Sequence, residues 1–103
     1  MKKSLDQIHH IALRVKNIPR AVRWYLKNFN CILNYQDKTW ASLHFENIDL
    51  ALVLPSQHPP HIAFESKAIA LGKDWQKHRD GIRYVYKEDL DSNTIEYLEM
   101  ERS

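Results

Sequence analysis

The sequence predicts an α+β fold in which one supersecondary unit is used twice, and three observations predict it. The tripeptide His-Ile-Ala begins an apolar, strand-like stretch at His10 and again at His61, 51 positions later. Residues 17–30 carry apolar side chains at the spacing of one helical face. A proline-rich break, PSQHPP at residues 55–60, then separates two runs that each read strand first and helix second. Repetition carries the most weight, because it converts two separate histidines into one position seen twice.

Taken in order, residues 8–15 alternate as a strand, with Ile11, Leu13 and Val15 on one face and His10, Ala12 and Arg14 on the other. His9 faces away from His10 in a regular strand and reads as a surface or packing residue. Asn17 is suited to cap a helix and Pro19 is tolerated in its first turn, after which Ile18, Ala21, Val22, Tyr25, Leu26 and Phe29 form the apolar face. The helix is expected to stop near Asn30, a residue that accepts the left-handed conformation. Strands follow at residues 32–36, 40–46 and 48–54, with polar turns between them. Beyond the break, residues 61–65 read as a strand and Ser66 as the cap of a helix carrying Ala68, Leu71 and Trp75 and ending near Asp80 and Gly81. Strands at residues 82–87 and 94–100 flank the turn DLDSN. The chain is thus a single domain, 1–103, with unit one at about 8–55 and a shortened unit two, one strand fewer, at about 60–100.

Composition narrows the class. With 44% hydrophobic and 27% charged residues and only two glycines, the chain is that of an ordered globular protein. The net charge of +2 comes from acidic and basic residues interleaved along the chain, without a basic stripe for a phosphate backbone, so nucleic acid is not an expected partner. The single cysteine, Cys31, excludes an intramolecular disulfide and a zinc site built on cysteine pairs, and is read as a small packing residue in a reducing compartment. No apolar run is long enough to span a bilayer and the first ten residues lack a secretory apolar region. The expectation is a cytoplasmic protein.

The stretches HHIALRVKNIPRAVRWYLKNF and DLDSNTIEYLE resemble the opening strand and helix, and the closing DPDGN hairpin and Ile-Glu strand, of the vicinal oxygen chelate superfamily. That superfamily contains glyoxalase I, fosfomycin-resistance thiol transferases, extradiol dioxygenases and bleomycin-resistance proteins. The resemblance implies two side-by-side βαβββ-type units whose mixed sheets curl into a cup, with the helices outside and a metal at the base. Carried over residue by residue, it places metal ligands at His10, His61 and Glu96. Four-ligand relatives have a glutamate where this chain has Ala51, and a methyl group cannot bind a metal.

Two imidazoles and one carboxylate leave coordination positions open and suit Fe, Mn, Ni or Zn as a divalent ion. Arg14, on the face of His10, is the expected anchor for a substrate carboxylate or phosphate, with a surface ion pair as the ordinary alternative. His44 alternates against Leu43 and Phe45 and is a weaker candidate for an acid or base lining the cup. The function implied is a metal-dependent enzyme, a lyase, thiol transferase or dioxygenase, acting on a small oxygen-rich molecule. The alternative is a metal-free protein that sequesters a small molecule, as bleomycin-resistance members do. A homodimer is expected in either case.

Overall fold

The computed structural model describes residues 5–65, 76–77 and 83–99. Its elements are β1 (Gln7–Arg14), α1 (Ile18–Asn28), β2 (Ile32–Gln36), β3 (Trp40–His44), β4 (Asp49–Val53), β5 (His61–Glu65), β6 (Gln76–Lys77), β7 (Arg83–Glu88) and β8 (Thr94–Glu99). The strands form one curled, unclosed sheet in the order β2-β3-β4-β1-β5-β8-β7-β6. No helix among the described residues is long and apolar enough to cross a membrane.

The strand order is a palindrome in space. β1 pairs parallel with β4, β5 pairs parallel with β8, and β1 and β5 run antiparallel at the seam. Each unit therefore contributes a four-strand wing, and an approximate two-fold axis passes between β1 and β5. Unit two keeps all four strands, where the sequence leaves room for three. Its counterpart of β2 is represented among the described residues by Gln76–Lys77, which pair with β7. The helix expected to run from Ser66 to near Asp80 falls largely outside the described residues, but at Gln76–Lys77 the backbone is extended and pairs with Tyr84 and Arg83.

In unit one, local chemistry fixes the helix. The Asn17 side chain accepts the Arg20 N–H at 2.9 Å, and Pro19 occupies the first turn where no intrahelical donor is needed. Ile18 and Val22 are buried against Ala41, Leu43 and Leu52 of β3 and β4, a burial of about 1.5–3 kcal/mol for each large apolar side chain. The helix ends on Phe29, which is extended and returns its N–H to the Tyr25 carbonyl, so Asn30 is not needed as a left-handed terminator. With α1 covering one face of this wing, the residues that alternate with Ala41, Leu43 and Leu52 are turned to the other face. That face carries His10, Ala12, Arg14, Ala51 and Val53.

Candidate metal centre

The two-fold seam brings three donors together. In the sheet register, His10 lies opposite Ala63, and Ala63 lies opposite Glu96, giving the lateral row His10, Ala63, Glu96. The same relation in the other direction gives the row His61, Ala12, Ala51. The middle residue is alanine in both, a methyl that leaves space for the longer side chains on either side to meet above it. This accounts for the repeated His-Ile-Ala: the histidine supplies a donor, the isoleucine turns to the opposite face, and the alanine floors the site.

The meeting is close. The Nε2 atoms of His10 and His61 are 3.2 Å apart, and Glu96 Oε1 lies 3.3 Å from the first and 3.1 Å from the second. Donors held about 2.1 Å from one ion are about 3.0 Å apart at a right angle and about 3.4 Å apart at the tetrahedral angle. The observed edges fall between those limits, so the residues fit a small divalent cation. Glu96 is 1% exposed and the His10 side chain 19%, which makes His10 the outer member of the set.

Neighbouring groups orient the rings. His61 Nδ1 donates to the Pro59 carbonyl at 2.7 Å, so in the neutral ring the Nε2 lone pair is the one directed at the centre. His10 Nδ1 lies 2.8 Å from His9 Nδ1, and their rings meet edge-on. This corrects the placement of His9. A β-bulge between Ile8 and His10 interrupts the pairing with β5 and abolishes the strict alternation that would have turned His9 away. Burial, and next the neighbouring His10, hold the His9 imidazole below its ordinary pKa, which favours its neutral form.

Tyr86 is the other contributor that the sequence reading does not single out. It lies opposite Glu96 in the β7–β8 ladder, and its ring packs edge-on against His61 at 5.2 Å between centroids. Burial, reinforced by the Glu96 charge, pushes its phenol well above the ordinary tyrosine range, so its hydroxyl stays protonated and able to donate. Its position could have been counted back from the DLDSN turn, because the hairpin pairs Glu88 with Thr94 and hence Tyr86 with Glu96.

Arg14 and His44 are not drawn into this cluster. Arg14 is exposed at the end of β1, opposite Val53, and makes no ion pair among the described residues. His44 lies in the row of His10 but two strands away, about 10 Å across the sheet. Its Nδ1 is 2.7 Å from Asp49 Oδ1, and about half of its side chain is exposed. Ala51 occupies the position that the two-fold relates to Glu96, so three corners of a four-cornered arrangement carry donors and the fourth carries a methyl.

A curled sheet of two four-strand wings, with His, His and Glu gathered at their seam, defines a class of protein, and the sequence assigns the chain to it. The chain belongs to the Glyoxalase/Bleomycin resistance protein/Dioxygenase superfamily, whose family model matches residues 7–97. No curated protein matches the sequence. Among solved structures, the hypothetical protein BH1468 from Bacillus halodurans C-125 superposes with a TM-score of 0.74 at 12% identity, covering 97% of this chain and 98% of that one. At that identity the likeness is one of fold. A lactoylglutathione lyase from Agrobacterium tumefaciens also matches, with a TM-score of 0.46 and 16% identity over 90% of this chain and 92% of that one. A superfamily member from Sphaerobacter thermophilus DSM 20745 gives 0.44 and 15% over 91% and 97%.

Proposed function

We propose that the protein is a divalent-metal-dependent enzyme acting on a small oxygen-rich substrate by lyase, thiol-transfer or dioxygenase chemistry, with His10, His61 and Glu96 holding Fe, Mn, Ni or Zn. The carrying observation is the approach of His61 Nε2 to Glu96 Oε1 at 3.1 Å, where a neutral His61 would set one lone pair against another. A proton shared between His61 and Glu96, or a cation, must lie between them, and the approach of a third donor, His10 Nε2, to both atoms favours the cation. A metal in that place would act as a Lewis acid toward a substrate oxygen.

The chain's own groups divide the remaining work. Pro59 and His9 fix the two imidazoles, Tyr86 presents a protonated hydroxyl beside the centre, and the Ala12, Ala51 and Val53 floor excludes water from one side. Arg14, four residues along the strand from His10, is about 13 Å away along the backbone. Its long side chain can meet the far, anionic end of a substrate reaching out from the centre. His44, oriented by Asp49, is the acid or base we assign to the rim. The competing reading, a metal-free protein that sequesters a small molecule, draws support from the methyl of Ala51 at the fourth corner. Cys31, half-buried with its Sγ 3.9 Å from the Tyr25 carbonyl, is consistent with a reducing, cytoplasmic setting.

Metal content measured by mass spectrometry on protein purified without an affinity tag separates the two readings. About one equivalent per chain, lost in Glu96→Ala, is the expected result. Failure to bind Fe(II), Mn(II), Ni(II) or Zn(II) when each is supplied would leave the sequestering protein.

A further inference from the structure

Acidic and basic residues interleave along most of the chain, but residues 7–36 are an exception to the interleaving expected from the sequence as a whole. Residues 7–36 contain five basic side chains and no acidic one, leaving ten basic against thirteen acidic in the remainder. The fold gathers four of the five. Lys16, Arg20, Arg23 and Lys27, together with Trp24 and Tyr25, line a groove of about 710 Å³ along α1. None of the four cations makes an ion pair among the described residues, and Trp24 is 55% exposed. Arg20, Arg23 and Lys27 follow helical spacing on one side of α1, away from the buried Ile18 and Val22, with Trp24 beside them.

The β7–β8 hairpin has the complementary character. At its tip Leu90 is wholly exposed, with Glu88 and Asp91 on either side also exposed and unpaired among the described residues. The tip is a shaped structure. Asp89 accepts from the backbone N–H groups of Asp91 and Asn93 and from the Asn93 side chain, all at 2.9 Å, and Ser92 takes the left-handed conformation at φ 68°. An apolar side chain held between two carboxylates matches a groove that holds an aromatic ring between cations.

We infer that the acidic tip at Glu88, Leu90 and Asp91 of one chain docks into the basic, aromatic groove of α1 on a second copy of the same chain. In a two-fold dimer each chain gives one tip and one groove, so the contact is made twice and the assembly closes. The occupant is a second copy because tip and groove carry opposite charge on one chain. This surface lies outside the metal centre and stands whether or not a metal is bound.

Sedimentation velocity of the full chain tests it. Wild type is expected to dimerise in about 0.05 M salt and to dissociate at least tenfold more readily in about 0.5 M salt, where exposed charges are screened. Arg23→Glu with Lys27→Glu reverses the groove, and Glu88→Arg with Asp91→Arg reverses the tip. Each double variant alone is expected to be monomeric. Mixed together they should form a heterodimer, because both tip-to-groove contacts are then attractive again; all four positions are exposed, and circular dichroism confirms that each variant is folded. A monomeric wild type at low salt, a dimer indifferent to either reversal, or a mixture that stays monomeric would each overturn the proposal.

Discussion

Ala12 and Ala63 shape the centre as much as the histidines that precede each of them by two residues. Each leaves a gap in its row, and in one row the gap is crossed by Glu96 while in the other it leads to Ala51. Ala51→Glu should therefore place a second carboxylate at the two-fold counterpart of Glu96. In the presence of chelator, a carboxylate where Ala51 is now 7% exposed, and facing Glu96, is expected to cost about 2–4 kcal/mol and lower Tm. Added divalent metal should more than restore it, with an affinity at least tenfold above wild type in a calorimetric titration. Equal metal affinity in variant and wild type would show that Ala51 does not face the ion. At this scale His10, His61 and Glu96 are legible through the family resemblance, which the repeated His-Ile-Ala and the closing hairpin carry, and the structure brings the three side chains close together. His9 is not legible, because the period-two rule that places every other residue of β1 fails at one bulge.

Elements are pinned by their polar ends as well as by their apolar faces. The β7–β8 turn is held through the Asp89 carboxylate, and hydrogen bonds from Asn93, side chain first, keep that group below the usual carboxylate pKa. Because the folded state binds this proton less readily than the unfolded chain, the turn's contribution is complete above about pH 4 and is lost as the pH falls through the lower, folded value. Asp89→Ala should lower Tm at pH 7, and the gap from wild type should close progressively below about pH 4; thermal melts across that range measure it. A gap independent of pH would assign the effect to something other than the ionised carboxylate. Residues 32–36 and 61–65 become strands over those same limits, because alternation and flanking turn residues agree there. The end of α1 and strand β6 were less readable. Phe29 ends the helix by an extended turn that leaves no residue signature, and Gln76–Lys77 is a strand only because β7 lies alongside to pair with it.

For the whole molecule, the decisive feature is that the candidate centre straddles the seam. His10 belongs to unit one, while His61 and Glu96 belong to unit two, and the backbone connection across the seam is the antiparallel β1–β5 ladder. All three donors come from one chain, so the centre requires no second subunit. An ion held by all three would tie the wings together, and its binding free energy would add to the cooperativity of unfolding as well as to local order. At a metal concentration about a hundredfold above Kd the gain is about 2.7 kcal/mol. For a domain of this size that corresponds to a rise in Tm of roughly 10–20 °C. The rise should vanish in Glu96→Ala and shrink in His10→Ala, which leaves the two unit-two donors without their partner across the seam. Hydrogen exchange distinguishes a tie across the seam from a local effect. Metal should increase protection in the β1–β4 ladder of unit one and in the β5–β8 ladder of unit two together. Protection confined to β5 and β8 would mean that His10 does not share the ion, and the seam would then be held by backbone pairing alone.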